Sequence, residues 1–268
     1  MNEQFLSKEE LQVKVPSAFA VSGLEGKVSK HYSYLSTMET VDTLENLGWM
    51  PIKATQKRVY KDKETEGYQT HCIHFAHKES LELVGSQAVG TLMPRIIMLN
   101  NHMGTLSNRI EFGLYRLVCS NGLVIPQGEF EFLKVRHQKI TIEIFKEMIK
   151  QYIISLPKTL DNIKMYQDVT LSPVESVQFA REALELKFSD GKYQIIPETL
   201  LIPRRVSDDK NDLWTIFNVV QENMFKGGQR YSAEKRKAKT RGLNSIYATV
   251  DLNKALWELM IKYSRIKS

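Results

Sequence analysis

Three histidines and a cysteine crowd the seven positions HCIHFAH from His71 to His77, the densest set of reactive side chains in the 268-residue chain. Imidazoles and a thiolate around one ion would make a zinc centre. Strand geometry argues against it, because His71 and His77 then share one face roughly 20 Å apart while His74 points to the other. We read all three as structural. The acidic group Asp208, Asp209 and Asp212 could hold Mg²⁺, yet it stands where a following helix needs caps and negative charge. Cys119 ends an apolar run, where a free thiol packs as a small hydrophobe, and it becomes a nucleophile only beside an activating base. Catalysis would need a compact polar pocket holding His102, Cys119 and a carboxylate. No GxxxxGK[ST], GxSxG, HExxH or CxxC motif occurs. The expectation is therefore no metal, no cofactor and no enzymatic activity.

Charge is the stronger signal. Lys and Arg number 37 against 31 Asp and Glu, a net +6. Between Lys226 and Arg241 stand seven cations (Lys226, Arg230, Lys235, Arg236, Lys237, Lys239 and Arg241) and one acid, Glu234, so this segment alone carries an excess equal to the whole chain's. Such a run commonly forms a solvated helix face or loop. Here Gly227-Gly228 leads into Gln229, Arg230 and Tyr231, which offers open backbone, a guanidinium and an aromatic ring to phosphates and an unstacked base. Lys57 and Arg58 on a hairpin strand, Arg136 and His137 after another strand, and Arg204 and Arg205 before a capped helix could widen this into a groove. With two cysteines, Cys72 and Cys119, expected as free thiols, the chain suits a reducing interior. It shows no signal-peptide h-region and no apolar run near the roughly 20 residues of a membrane span, so a soluble, cytoplasmic protein is expected.

The elements that must position these residues follow from periodicity. Residues 1–30 show little pattern and read as an arm, with 31–268 as one domain. Thr37 can cap a helix through Met38, Val41, Leu44 and Leu47 that stops at Gly48. Trp49–Tyr60 and Tyr68–His77 read as a hairpin with a charged loop, and Pro94–Asn100 as a further strand. From Asn108 the spacing of Ile110, Leu114, Leu117 and Val118 predicts a helix bearing Arg109 and Arg116 on another face. Leu123–Ile125 and Phe130–Val135 read as extended, and Ile140–Leu156 as a helix closed by Pro157. A helix after Ser172-Pro173, a short extended piece over Leu200–Arg205, a helix from about Leu213 to Gly227-Gly228, a basic loop or helix over 226–241, and a last helix over Leu252–Ile266 complete the chain. The class is α+β: a small antiparallel sheet with a hairpin packed by helices, and a helical C-terminal half.

The string LYRLVCSNGLV at 114–124, preceded by NHMG at 101–104 and followed by Arg136 and His137, resembles a phage- and plasmid-borne family known as a domain of unknown function, of the 932 type. The likeness continues through Tyr34 and Leu35, PRR at 203–205, NDLW at 211–214, Asn218 with QEN at 221–223, Gly227-Gly228, Arg241, and Leu252-Asn253 with Leu256-Trp257. Thr105-Leu106 stands where family members often carry a small pair such as Ser-Ser. The family implies a mobile-element setting and no reaction. In layout the helix, basic hairpin and following helix are similar to the small core of phage single-strand annealing proteins, with no matched motif.

These readings lead us to expect a sequence-tolerant nucleic-acid binder of a phage or plasmid, acting on single-stranded DNA in replication or recombination and working as a homo-oligomer in the bacterial cytoplasm. Lys57, Arg58, Arg136, His137, Arg204, Arg205, Lys226, Arg230, Lys235, Arg236, Lys237 and Arg241 would meet phosphates, and Tyr231 a base. His102, Arg109, Arg116 and Asn121 join them because the family string contains them; ion pairing on a helix surface is an equal reading for the two arginines. The alternative is a phage protein whose basic surface docks a host defence or replication protein, without catalysis.

Overall fold

The computed structural model describes residues 4–30, 32, 34–79, 92–105, 109–116, 123–124, 142–188, 194–233, 236–243 and 246–267. They form two compact units, one of residues 1–122 and 127–154 and the other of 123–126 and 155–268. The class is α+β, as the periodicity indicates.

In the first unit, four strands form an antiparallel meander in chain order: β1 (Trp49–Gln56), β2 (His71–His77), β3 (Leu92–Asn100) and β4 (Arg109–Arg116). Side chains alternate between faces with period two, and the register aligns Trp49, Ala54, Ile73, Phe75, Ile96, Met98, Ile110 and Phe112 on one of them. All are buried. Pro51, which has no N–H to give the ladder, sits where the β1 register slips by a residue. Against the apolar face lie α2 (Thr37–Asn46), which buries Val41 and Leu44, and Tyr152 from the first half of α3 (Ile142–Asp168), whose ring centre is 4.4 Å from that of Phe112.

The helix expected from Asn108 is instead strand β4. The spacing of Ile110 and Leu114 fits either period, and pairing of Phe112 with Ile96 and Ile110 with Met98 decided the matter. Further differences are local. Ser36, one residue earlier than expected, caps α2 by accepting from the Glu39 N–H. Pro157 does not close α3, which runs on to Asp168. β1 ends at Gln56, so Lys57 and Arg58 begin the loop rather than ride the strand. Residues 1–30 carry α1 (Lys8–Lys14), whose Ser7 and Glu10 form a reciprocal cap, and Leu11, Val15 and Ala18 are fully buried.

The second unit is built around α5 (Leu213–Lys226), capped by Asp212 and buried from Leu213 through Phe225. A helix covered all round must be apolar or have its polar groups satisfied within the fold, and α5 buries Thr215, Asn218, Gln221, Glu222 and Asn223, each with a hydrogen-bond partner. α4 (Pro173–Lys187), with a Ser172–Glu175 capping box, and α6 (Ile246–Lys267) pack on it. Trp214, Phe217 and Trp257 meet largely edge to face. Leu123–Val124 is a short strand, β5. No strand forms over Leu200–Arg205: Leu200 ends a 3₁₀ turn from Pro197, Arg205 alone is shown with extended backbone, and a second 3₁₀ turn covers Val206–Asp208. The basic segment is neither loop nor helix: β6 (Gln194–Ile195), β7 (Arg230–Ala233) and β8 (Arg236–Lys239) form a three-stranded antiparallel sheet. No described helix is long and apolar enough to cross a membrane.

Candidate nucleic-acid interface

The β7–β8 hairpin rises from the end of α5 on a tightly specified base. Gly227 has φ +69°, and a Cβ there would stand 2.7 Å from the Thr240 carbonyl oxygen and the Arg241 carbonyl carbon. The chain therefore crosses itself where only glycine fits. Gly228 N–H donates to Thr240 O at 2.9 Å and Thr240 N–H to Gln229 O at 2.8 Å. The Gln229 amide donates to Asn223 O and Gly227 O, and Thr240 Oγ1 donates to Gln229 Oε1 at 2.7 Å. Gly227-Gly228 is thus not an open anion cradle as the sequence suggested, since both N–H groups are already bonded within the fold.

Above this base the register sorts the cations. Arg230 lies directly opposite Lys239 and Ser232 opposite Lys237, so these four positions share one face; Gln194 joins it opposite Ser232. Tyr231, Ala233, Arg236 and Ala238 take the other face with Ile195. Arg230, Ser232, Lys239 and Arg241 are exposed, whereas Ile195 is buried and Tyr231 half-buried. Two like charges directly opposite on a hairpin destabilise it. Among the described residues no carboxylate pairs with Arg230, Lys239 or Arg241. Tyr231, expected to stack on a base, stands on the opposite face from Arg230.

Other expected cations are committed elsewhere. The Arg205 guanidinium grips both Glu222 oxygens at 2.8 and 2.9 Å and also reaches Asp208 at 3.0 Å. Lys226 closes on the same Glu222 carboxylate. Burial pushes the Glu222 pKa up, but hydrogen bonds and charge from Arg205 and Lys226 outweigh it and hold the group below its ordinary value. Arg204 Nε donates to Asn223 Oδ1 at 2.9 Å, and Asn223 in turn donates to Leu200 O and Ile202 O. The strings PRR and QEN therefore strap the 200–208 segment to α5. Asp208 serves this ion pair and Asp212 the helix cap. A cavity of about 340 Å³ lies beside the strap, lined in part by Leu201, Pro203, Asp209, Ile216 and Val219.

In the first unit Lys57 and Arg58 are exposed in the β1–β2 loop. Arg109 lies on β4 opposite Leu99, and Arg116 is opposite Leu92 at the strand's end. His102 is fully buried: its Nε2 lies 3.1 Å from Thr37 Oγ1, which also lies 2.9 Å from His71 Nε2 and accepts from Asn100 Nδ2 at 2.7 Å. That burial takes His102 out of a phosphate-binding role, and its neighbours are the neutral imidazole of His71 and the Thr37 hydroxyl rather than an acid. Burial drives the His71 and His102 pKa values down to about 3 and about 4. Cys72 is a buried free thiol. Asn121, Arg136, His137, Lys235 and Cys119 lie outside the described residues, as does the expected strand over Phe130–Val135. No group of three or more potential metal ligands occurs among the described residues.

Sequence reasoning missed Thr37, Glu222 and the Gln229–Thr240 pair. Only Glu222 left a signal: it stands four residues before Lys226 as the one carboxylate of its helix, where a buried acid must find a partner.

The fold and the cationic hairpin define an α+β protein with a basic β-sheet surface and an internally braced helical core. The chain belongs to the family described as a domain of unknown function, DUF932, whose model matches residues 25–257. It is similar to the UPF0380 proteins YfjQ and YafZ of Escherichia coli strain K12, 32% and 33% identical over 253 residues, spanning 94% of this chain and 89% of each relative. No solved structure matches it.

Proposed function

We propose that the protein binds nucleic acid without sequence preference through the outward face of the β7–β8 hairpin, and that its substrate is single-stranded DNA of a phage or plasmid in replication or recombination. The observation that carries this reading is Arg230 set directly opposite Lys239, both exposed and without a carboxylate partner among the described residues. Such a pair costs stability in the free protein, and a polyanion removes that cost. Lys237 by register and Arg241 by exposure extend the track to four cations. Arg204, Arg205, Lys226 and His102 leave the set, because the fold already uses them.

Four phosphates neutralised by the hairpin contribute about −2.8 to the slope of log affinity against log salt on a single strand. Fluorescence anisotropy with a labelled oligonucleotide measures it. The double variant Arg230→Glu, Lys239→Glu is expected to weaken binding at least tenfold and to flatten the slope by about 1.4, with unchanged thermal stability. No binding to DNA or RNA at low salt overturns the reading and leaves an acidic protein surface as the remaining ligand chemistry for this face. Annealing is the further step, read from the rate at which complementary strands pair with and without protein, and self-association from sedimentation with and without the strand.

A further inference from the structure

We infer that the loop joining β1 and β2 is a second nucleic-acid contact, one that selects single strands, with Tyr60 as the platform on which an unpaired base stacks; this rests on the nucleic-acid reading above. Tyr60 is 82% exposed, whereas every other tyrosine whose side chain is described is half-buried or buried. Among the described residues no hydrogen bond or ring contact engages it. A bare aromatic ring on a loop is costly to hydrate and ready to stack.

Its surroundings fit that role. The loop carries four cations, Lys57, Arg58, Lys61 and Lys63, all in its first seven residues around Tyr60, and three acids, Asp62, which faces Lys27 at 3.9 Å, and Glu64 and Glu66 beyond them. Lys57, Arg58, Lys61 and Lys63 are exposed and have no ion pair among the described residues. Cations beside an exposed ring hold a backbone while a base stacks, which is how sequence-tolerant single-strand sites are built. Hydrogen bonds hold the two ends of the loop. Lys57 N–H donates to Thr70 O at 2.8 Å, Tyr68 N–H to Thr65 O at 3.1 Å, and Gly67 N–H to Gln69 Oε1 at 2.7 Å. A duplex keeps its bases stacked on one another, so the ring gains nothing there, whereas the hairpin cations act on any phosphate chain. Strand selectivity would thus come from the first unit and general affinity from the second.

Two variants of the full chain test this with oligo(dT) and a duplex of equal length. Tyr60→Ala is expected to raise the single-strand Kd about tenfold, with the salt slope and the duplex Kd unchanged. Tyr60→Trp gives a direct readout, because Trp49, Trp214 and Trp257 are 1%, 4% and 3% exposed and respond little to solvent; the new indole emission should be quenched by oligo(dT) and not by duplex. If the wild type binds oligo(dT) but Tyr60→Ala binds equally well, or the new emission is indifferent to the strand, the stacking role falls and the hairpin reading stands. If the wild type binds neither nucleic acid, both fall together.

Discussion

Thr37 Oγ1 has one proton and two lone pairs, and the fold uses all three. His71 Nδ1 lies 3.0 Å from Gln69 O, which can only accept, so the proton sits on Nδ1 and Nε2 must accept from Thr37. Asn100 Nδ2 donates to the same oxygen, and His102 Nε2 must then carry a proton and donate as well. His102 Nδ1 is left as a bare lone pair, buried and without a partner among the described residues. One hydroxyl thereby ties α2, β2 and the turn after β3 together. Thr37→Val keeps the shape and removes both the donor and the acceptor, which leaves an imidazole acceptor and two N–H donors buried and unmatched. We expect a loss of about 3 kcal/mol or more in urea unfolding, whereas Thr37→Ser should cost far less. A Val variant within about 0.5 kcal/mol of the wild type would show that these groups find other partners. None of this was legible in the sequence, because Thr37 reads there only as a helix cap and its partners lie 34 to 65 residues away.

At the scale of elements, β4 and the basic hairpin show where periodicity misleads. Both read as helix or loop in the sequence because apolar or charged residues recur at spacings that do not discriminate, and in both the deciding factor is pairing with a strand distant in sequence. Caps were easier to read: Ser172 with Pro173, and Asp212 before α5, act locally and need no tertiary partner. The base of the hairpin depends on a contact between distant residues, Gly227 against the backbone of Thr240 and Arg241. Gly227→Ala puts a Cβ against backbone at 2.7 Å in a left-handed conformation, so neither side can yield cheaply. We expect it to cost about 2 kcal/mol or more, whereas Gly67→Ala, with φ +88° but open space, should cost about 1 kcal/mol. Equal costs in thermal unfolding of the two variants would mean that the chain crossing is not tight.

For the molecule as a whole, acid is the sensitive variable. His71 and His102 stay neutral in the fold down to about pH 3 and 4, against an ordinary value of 6.5, and His74 is depressed in the same direction. Below pH 6.5 the unfolded chain takes up protons that the folded one refuses, so stability is full above 6.5 and declines as pH falls toward the folded values. Carboxylates held low by their partners, Glu222 and Glu182, hold their contribution until pH falls through 4.5. Between pH 6.5 and 5 the histidines therefore act nearly alone, and the loss should reach about 2 kcal/mol for each fully buried one. Urea midpoints measured across that window check it; a flat profile would contradict the buried, neutral state of these rings. The sequence by itself determined the α+β class, the helices that begin at strong caps, and the concentration of the net charge in one sixteen-residue segment, because composition, capping and charge are properties of neighbours along the chain. Only the tertiary structure decided that Arg204, Arg205 and Lys226 are spent on α5, that Arg230 and Lys239 stand unneutralised on one face, and that Tyr60 rather than Tyr231 is bare. Exposure and partnership depend on which distant residues fold against a side chain, and periodicity carries no record of them.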